Sequence, residues 1–470
     1  MRTLLASLRA LLDFAPSPSE VSMAPRRPSR PRPSGISRRT FVKGAAAASA
    51  PLFFGCATTS EGAAPAVIAA PERKLPPEVL KVGLIGAGGR GTGAAYNALR
   101  AEKGTVVLTA VADVLPGRIE SSLKNLRESL GADGEKLVQV TPERMFTGFE
   151  SYKALIDTDV DVVLLTTPPV FRPATLAYAV EKRKHVFCEK PVAVDAPGIR
   201  SALASVEKAR AAGLVLVSGL CWRYHNRQRE LFGRVVDGQI GAVQAVYTTY
   251  NTGPNAFVER KPGMSEMEHA IRNWYHFTWI GGDHVVEQAV HSIDKMAWCF
   301  NDVAPKSVVA VGGRSTPVQV GDRWDHFSAT FDYGDGRKGF HMCRQWEGCA
   351  NENHDYAYGT EGKATVRGWD PYQAIEGQRP WVCTTPANDM YQTEHDELFA
   401  AIRKGEAMND GLRMAHSTLL AIMVRMAAYT GQVITWDQAM NSQQDLGLPS
   451  YALGDLPRRE PPVPGRTQFT

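Results

Sequence analysis

The chain has 470 residues, of which 44% are hydrophobic and 22% are charged, and this is the composition of a globular protein. Its length exceeds that of one ordinary hydrophobic core, so we expect two domains and a tail. The formal net charge of +4 is raised by the basic excess in the first 43 residues, and it therefore gives no support to nucleic-acid binding.

The cysteines and histidines do not indicate a disulfide-rich or metal-binding protein. Seven cysteines occur without regular spacing, so they do not describe a disulfide framework. His341, Cys343, Cys349 and His354 are close in sequence but lack the paired spacing of zinc ligands. We predict no metal site.

Residues 1–57 form a predicted signal region. Residues 37–43 read Ser-Arg-Arg-Thr-Phe-Val-Lys and precede a short apolar run that ends at Cys56. This pattern is typical of a twin-arginine export signal, so we expect the export machinery as a partner and a periplasmic location. The segment before Cys56 is similar to a lipoprotein processing box, which leaves soluble and lipid-anchored forms open, and Met23 is as suitable a start as Met1. Residues 58–78 are small, polar and proline-rich, as in a disordered linker.

A dinucleotide-binding pattern begins at residue 80. Residues 80–85 form a predicted buried strand, residues 86–91 read Gly-Ala-Gly-Gly-Arg-Gly, and a helix is expected over residues 92–100. Glycines at this strand-to-helix turn let a pyrophosphate approach the helix N-terminus. A second strand ends at Asp113, where a carboxylate can accept the ribose hydroxyls and repel a 2′-phosphate. This favours NAD over NADP, although Arg118 nearby keeps NADP open.

Helices and strands then alternate, which predicts a doubly wound parallel sheet over residues 79–220. Strands are expected at residues 160–166, 185–188 and 214–218, and helices at residues 152–157, 173–182 and 197–212. Thr167, Pro168 and Glu189 follow strand ends, where such sheets bind their ligands.

Residues 221–456 form a predicted second domain, and residues 457–470 a C-terminal arm. From residue 306 apolar and polar residues alternate along the chain. This alternation predicts antiparallel strands at residues 307–312, 326–333, 338–344 and 364–367. An earlier strand is expected at residues 243–250, and final helices at residues 393–404 and 417–430. Residues 251–270 are expected to form a loop over the active site. The aromatic residues between 274 and 279 fit core packing, or with less weight a sugar-stacking platform.

Ionisable groups are concentrated between Gly281 and Asp294. If this run is helical with Asp283 as its N-cap, Glu287 and His291 lie on one face, since they are four residues apart. A carboxylate that orients a histidine is suited to general acid/base catalysis. For this spacing alone, a buried histidine with a structural role is the more common explanation.

Three motifs in this order resemble the Gfo/Idh/MocA oxidoreductases. They are the glycine turn at residues 86–91, Glu189-Lys190-Pro191 at a strand end, and Gly-Gly-x4-Glu-x3-His-x2-Asp from Gly281. The resemblance covers residues 80 to about 450. It implies an N-terminal Rossmann domain followed by an α/β domain with a large, open, mostly antiparallel sheet. Members mostly oxidise or reduce sugars and polyols with NAD(P), and their open sheet commonly pairs in homo-oligomers.

The resemblance also implies roles for individual residues. Lys190 would hydrogen-bond the substrate hydroxyl, with Pro191, often cis in relatives, directing it, and His291 would be the general acid/base, oriented by Glu287. The predicted dinucleotide contacts are Gly86, Gly88, Gly89, Arg90, Gly91, Asp113, Thr167, Pro168, Glu189 and Lys190. The predicted substrate contacts are Arg223, Tyr224, Tyr275, Asp283 and Glu287.

The chain departs from the family pattern at four positions. Arg172 stands where relatives often have histidine, Asp283 replaces the third glycine of Gly-Gly-Gly, and Ala289 replaces a later glycine. Glu287 stands where aspartate is usual, so its carboxylate reaches about one methylene further.

The leading hypothesis is an exported NAD(P)-dependent oxidoreductase acting on a sugar, a polyol or a derivative, with a tightly held dinucleotide. Two alternatives stay open. One is an NAD-dependent glycosidase that uses transient oxidation and elimination, and the other is a non-catalytic carbohydrate-binding protein.

Overall fold

The structure is a computed structural model and describes residues 78–101, 104–317, 320–370, 372–457 and 459–470. The predicted export signal, Cys56 and most of the predicted linker lie outside these residues.

Six parallel strands form the first sheet, in the order β3-β2-β1-β4-β5-β6. Their bounds are Val79–Ile85 (β1), Thr105–Asp113 (β2), Met145–Thr147 (β3), Val162–Leu165 (β4), His185–Cys188 (β5) and Leu216–Ser218 (β6). The central strands are apolar runs buried on both faces, as parallel strands covered by helices require. The strand order reverses between β1 and β4, which opens a crevice at their carboxyl ends.

Helices cover both faces of this sheet and continue into the second half of the chain. Their bounds are Gly89–Leu99 (α1), Pro116–Leu130 (α2), Gly134–Leu137 (α3), Ser151–Ile156 (α4), Arg172–Glu181 (α5), Ala196–Ala211 (α6), Asn226–Val236 (α7), Glu266–Arg272 (α8), Thr278–Gly281 (α9), His284–Glu287 (α10), Val290–Cys299 (α11), Met390–Lys404 (α12), Gly411–Thr430 (α13) and Trp436–Asn441 (α14). The late helix α12 packs against α1, β5 and β6, so it completes a layer on the first sheet. None of the helices in the described ranges has the length and apolar character needed to cross a bilayer.

Nine strands form the second sheet, in the order β14-β13-β12-β11-β7-β10-β9-β8-β15. Their bounds are Val243–Thr252 (β7), Ser307–Gly313 (β8), His326–Asp332 (β9), Lys338–Gln345 (β10), His354–Gly359 (β11), Gly362–Arg367 (β12), Gln373–Gly377 (β13), Trp381–Val382 (β14) and Ile434–Thr435 (β15). Neighbouring strands are antiparallel except β7 and β10, which are parallel. Helices α11 and α13 pack on the sheet, at β7 and β8 respectively.

The predicted fold class is confirmed: a doubly wound parallel sheet is followed by a mostly antiparallel second sheet. The domain boundaries stay a prediction. The single helix expected around Glu287 and His291 is wrong, because Gln288 and Ala289 separate α10 from α11. The predicted C-terminal arm lies back on the second half of the chain, where the Gly465 amide donates to the Thr430 carbonyl at 2.9 Å.

Candidate active site

The turn between β1 and α1 is built on glycines that have no room for a side chain. Gly86 adopts φ +97°, a backbone conformation that favours glycine. A Cβ on Gly91 would lie 1.9 Å from the Gly86 carbonyl oxygen and 2.6 Å from Oγ1 of Thr166. By contrast, a Cβ on Gly89 would meet no atom within 4 Å. The turn is therefore tight on its protein side and open where a ligand would lie.

A cavity of about 780 Å³ extends from this turn along the carboxyl ends of β1, β2 and β4. Its lining includes Gly86 to Gly91, Asp113, Thr167, Pro168 and Tyr275. Most of the predicted dinucleotide contacts are therefore brought together. Glu189 and Lys190 are not part of this lining.

The lining residues fit a dinucleotide. The Asp113 carboxylate is fixed by the backbone amides of Ala87 and Leu115, at 2.8 and 2.9 Å, and it lies at the cavity wall. It is placed where a ribose would follow a pyrophosphate held at the turn. Arg118 crosses the turn, since its Nη1 lies 3.6 Å from a Cβ built on Gly88.

Aromatic residues close the other side of the cavity. Trp274 and Tyr275 stack on one another with ring centroids 3.9 Å apart, and both line the cavity. Tyr451, from the C-terminal part of the chain, also lines it and packs on Phe171 with centroids 5.0 Å apart. Sequence reasoning missed Tyr451, because no local pattern links a residue near the chain end to the dinucleotide turn.

Lys190 and Glu287 are joined in the structure. The Lys190 ammonium donates to the Glu287 carboxylate at 3.0 Å and to the Glu287 backbone carbonyl at 2.7 Å. The Lys190–Pro191 peptide is cis, and the buried Arg172 donates to the Pro191 carbonyl at 2.5 Å. The second carboxylate oxygen of Glu287 is buried and has no hydrogen-bond partner among the described residues. The ammonium and one free carboxylate oxygen are thus both available at this point.

His291 is half-buried, and it lies within the electrostatic influence of the same lysine. Burial lowers the pKa of His291 well below its ordinary value, and the positive charges of Lys190, Lys295 and Arg90 lower it further. The imidazole is therefore neutral at neutral pH and able to accept a proton. No hydrogen bond joins Glu287 to His291 among the described residues, so the orientation of the histidine by Glu287 stays a prediction. Glu287 positions Lys190.

Tyr275 connects the cavity to this pair. The negative charge of Glu287 and burial both raise the pKa of Tyr275 above its ordinary value. Since Tyr275 lines the cavity and lies within the field of Glu287, it marks where the dinucleotide cavity meets the Lys190 site.

The carboxylate of Asp283 is held by hydrogen bonds from groups of the protein. Asp283 caps α10, as predicted, and its carboxylate accepts hydrogen bonds from the His284 amide at 2.5 Å, from the Trp324 amide at 3.1 Å and from the Tyr429 hydroxyl. It has φ +82° and is 1% exposed, so an aspartate occupies a conformation suited to the family's glycine. Burial raises its pKa to about 6. The structure does not bring it to the cavity predicted to adjoin the substrate.

Arg223 and Tyr224 are also held by protein groups. Arg223 is 5% exposed and its guanidinium pairs with Asp294 at 2.9 Å and with Asp302 at 2.6 Å. The hydroxyl of the buried Tyr224 donates to Asp410. Neither residue lines the dinucleotide cavity, and both side chains are held by carboxylates of the protein. Their contact with a substrate stays a prediction.

Arg90 and Glu189 pair with each other behind the glycine turn. The Arg90 guanidinium contacts the Glu189 carboxylate and also Glu394 on α12, the latter at 3.0 Å. Arg90 reaches the cavity wall, whereas Glu189 also accepts from the Lys190 amide at 3.1 Å. This network ties the turn to the segment that carries Lys190.

Comparison with known proteins shows the same organisation. The model of the GFO/IDH/MocA oxidoreductase family with an NAD-binding Rossmann fold matches residues 80–219, and that of the GFO/IDH/MocA C-terminal domain matches residues 229–365. The uncharacterised oxidoreductase YrbE of Bacillus subtilis is 27% identical over 208 residues, which cover 44% of this chain and 54% of that protein. The chain thus spans about half the length of that relative.

Two further proteins have known activities. The inositol 2-dehydrogenase of Rhizobium meliloti is 24% identical over 298 residues, covering 58% of this chain and 81% of that protein. The aldose-aldose oxidoreductase of Caulobacter crescentus, solved with glycerol, has a TM-score of 0.59 at 18% identity, covering 76% of this chain and 99% of that one. At this identity the structural likeness shows a shared fold.

Proposed function

Because the chain belongs to the Gfo/Idh/MocA oxidoreductase family, we propose that it is an exported, NAD-dependent oxidoreductase that acts on a sugar, a polyol or a derivative of one. The observation that carries this proposal is the pairing of Lys190 with Glu287 beside a neutral histidine, next to a cavity that fits a dinucleotide.

The residues divide the work of oxidising an alcohol. His291 accepts the hydroxyl proton, since its imidazole is uncharged at neutral pH. Lys190, held by Glu287, donates a hydrogen bond to the same substrate oxygen and stabilises the negative charge that develops there. The nicotinamide, when bound, supplies the acceptor for the hydride that leaves the same carbon. In the reverse direction, His291 donates a proton to the carbonyl oxygen of the ketone as the ketone is reduced to the alcohol.

The dinucleotide is NAD and is tightly held. Support comes from the Asp113 carboxylate at the ribose end, which repels a 2′-phosphate, and from the rings of Trp274, Tyr275 and Tyr451 along the cavity. Tight retention suits a protein whose cofactor must be captured before export and recycled afterwards.

Export to the periplasm by the twin-arginine machinery is supported by residues 37–43, and Cys56 provides a site for lipid anchoring.

Homo-oligomer formation is supported by the second sheet, where large apolar side chains are exposed. They are Val309, Val311, Phe340, Met342 and Tyr358. An exposed apolar sheet face of this kind is suited to a second copy of the chain.

The test uses the protein purified from the exported fraction. After denaturation, mass spectrometry should detect NAD released in near-stoichiometric amount, and addition of polyols and sugars to the intact protein should reduce the bound nicotinamide. Absence of any nucleotide would contradict tight retention. Release of aglycone from aryl glycosides without accumulation of NADH would favour the glycosidase instead.

A further inference from the structure

The segment that carries Lys190 has left the parallel sheet, and side chains hold its backbone. The Glu189 amide still donates to the end of β4, at 3.0 Å. Beyond it, the Lys190 amide donates to the Glu189 carboxylate at 3.1 Å, and the Val192 amide donates to the Thr418 hydroxyl at 3.3 Å. Pro191, between them, has no amide hydrogen, so its carbonyl is the group through which a hydrogen bond can fix its peptide unit.

Arg172 holds this carbonyl. Its Nη1 donates to the Pro191 oxygen at 2.5 Å, and the residue is only 3% exposed. Arg172 is the first residue of α5, and the start of this helix packs closely on the segment that follows Pro191. A Cβ on Gly198 would lie 2.8 Å from Cβ of Ala193 and 3.1 Å from Cγ of Pro173. The guanidinium therefore reaches Pro191 from a closely packed base.

Arg172 carries a charge that no carboxylate balances within the described ranges. Its guanidinium forms no ion pair there, and its buried Nε has no hydrogen-bond partner there. Arg223 differs, since its buried guanidinium pairs with Asp294 and Asp302. Burial of an unpaired guanidinium is unfavourable to folding, and an apolar side chain of similar size would avoid that penalty. Stability alone therefore does not explain an arginine at this position.

A second buried arginine holds the opposite side of the site in the same way. Arg425 is 1% exposed, and its Nη1 donates to the Gly282 carbonyl at 2.9 Å, just before the short helix that ends at Glu287. The two held segments lie against each other, since a Cβ on Gly282 would lie 3.5 Å from Cγ1 of Val194. The hydrogen bond between Lys190 and Glu287 thus joins two pieces of backbone that are each fixed by a buried arginine.

We propose that Arg172 is a positioning residue for hydride transfer: by fixing the Pro191 carbonyl, it holds the backbone in the course that directs the Lys190 ammonium to Glu287 and to the substrate oxygen. This inference rests on the proposed function and adds a residue that does not itself line the dinucleotide cavity. Its effect on the reaction passes through Lys190, because a displacement of about 1 Å near reacting atoms slows a reaction by up to about 100-fold.

The first test substitutes Arg172 by methionine, which removes the donors and keeps much of the apolar side chain. We expect kcat to fall by about 10- to 100-fold, with the same amount of NAD released on denaturation. Arg172→Lys keeps a donor and the charge, so it should restore part of the rate. Arg200→Met is the matched control, since Arg200 donates to the carbonyls of Met440 and Ser442 at 2.7 and 2.9 Å, at the end of α14. It should behave as wild type.

A double-mutant cycle separates positioning from a general loss of structure. In protein that already carries Lys190→Met, the further change Arg172→Met should slow reduction of bound nicotinamide by no more than about 2-fold, because the group that Arg172 positions is gone. A merely structural role would slow the reaction by the same factor with and without Lys190. Equal factors, or a wild-type kcat in Arg172→Met, overturn the inference and leave the oxidoreductase proposal intact.

The position of Lys190 is also measured without turnover, by acetylation with acetic anhydride and peptide mass spectrometry. The exposed Lys153 serves as internal reference. Arg172→Met should raise labelling of Lys190 relative to Lys153 by about 2- to 10-fold, as for loss of one hydrogen bond, and Arg200→Met should not. Unchanged labelling of Lys190 in Arg172→Met overturns the inference.

The labelling keeps the two proposals distinguishable. If no sugar or polyol reduces the nicotinamide, yet labelling of Lys190 rises in Arg172→Met, the proposed activity fails and the positioning of Lys190 by Arg172 stands. If Arg172→Met does not fold, Arg172→Gln takes its place, since its shorter side chain leaves the amide short of the Pro191 carbonyl. The same losses are expected, and wild-type rate and labelling in Arg172→Gln would overturn the inference.

Discussion

Lys190 donates to both the carboxylate and the backbone carbonyl of Glu287, at 3.0 and 2.7 Å, although the two residues are 97 positions apart in sequence. This double contact fixes a positive charge near His291 and is one cause of its lowered pKa. The charge therefore has two effects: it stabilises a developing alkoxide and keeps the neighbouring base neutral.

Substitution of Lys190 by methionine tests both effects. We expect kcat to fall by about 10²- to 10⁴-fold, as for loss of a group that acts directly on the reacting oxygen. Removing the positive charge should raise the pKa of His291, so the acidic limb of the kcat/KM profile for alcohol oxidation should move to higher pH. Lys153→Met, which breaks an exposed ion pair with Glu150, is the control and should leave the profile unchanged. An acidic limb at the wild-type position in Lys190→Met would contradict the coupling.

Glu287→Gln tests the positioning of Lys190. The amide keeps an acceptor for the ammonium but loses the charge, and the backbone carbonyl contact remains. We expect kcat to fall by about 10- to 100-fold, since a displacement of about 1 Å near reacting atoms has effects of this size. The dissociation constant of NAD should stay within a factor of about 2, because Glu287 does not line the dinucleotide cavity. A large change in NAD affinity with unchanged kcat would contradict this role.

Two glycines of the turn should respond differently to alanine. A Cβ on Gly89 meets no protein atom within 4 Å, so Gly89→Ala should fold normally but bind NAD at least about 10-fold more weakly. A Cβ on Gly91 would collide with the Gly86 carbonyl, so Gly91→Ala should lower the melting temperature even without nucleotide. Calorimetry and NAD titration measure the two effects. Equal NAD affinity in Gly89→Ala and wild type would place the pyrophosphate elsewhere.

Tyr451→Ala should speed the release of NAD. The ring contacts Phe171 and lines the cavity, and loss of such an aromatic contact corresponds to about a 3- to 10-fold change. Tyr451→Phe keeps the ring and loses only the hydroxyl, which accepts a hydrogen bond from the Leu448 amide at 3.3 Å, so its release rate should resemble wild type. Stopped-flow exchange of bound nucleotide measures both rates, and equal rates in all three proteins would exclude Tyr451 from retention.

Asp283 should make stability depend on pH. Its pKa is about 6 in the folded protein and ordinarily 3.8, so between these values the folded state binds more protons than the unfolded state. The free energy of unfolding should therefore decrease as pH rises from about 4 to about 6, by on the order of 3 kcal/mol from this group. Asp283→Asn should lack this contribution. Urea unfolding of both proteins across the range measures the difference, and parallel curves would contradict the raised pKa.

Five of the six strands of the parallel sheet were predictable, because they are continuous apolar runs with glycine, aspartate or proline at or just beyond their ends. The edge strand β3 was missed, since its three residues are not buried. The strands of the second sheet were harder to predict. Strand β11 mixes His354, Asp355 and two tyrosines, so it lacks a clean alternation and was missed. The break between α10 and α11 was also missed, because the apolar pattern through Ala289 continues without interruption.

The candidate site was predictable only where a local motif or the family resemblance pointed to it. Glycine spacing and Asp113 could be interpreted locally, whereas the pairing of Lys190 with Glu287 depends on contact between distant segments. The same limitation applies to Arg223, since its buried partner Asp294 lies 71 residues away and the pair could not be predicted. From the sequence alone, a charged residue such as Arg223 at the start of a domain can equally be a substrate contact or a member of a buried ion pair.

The most direct test of the account is a single-turnover experiment with protein that carries its co-purified nucleotide. Wild type, Lys190→Met and His291→Ala should all release the same amount of NAD on denaturation. Mixed with a sugar, a polyol or a derivative that reacts, only the wild type should reduce the bound nicotinamide rapidly, and both variants should be slower by at least about 10²-fold. Equal rates of reduction in the three proteins would contradict the assignment of hydride transfer to this site.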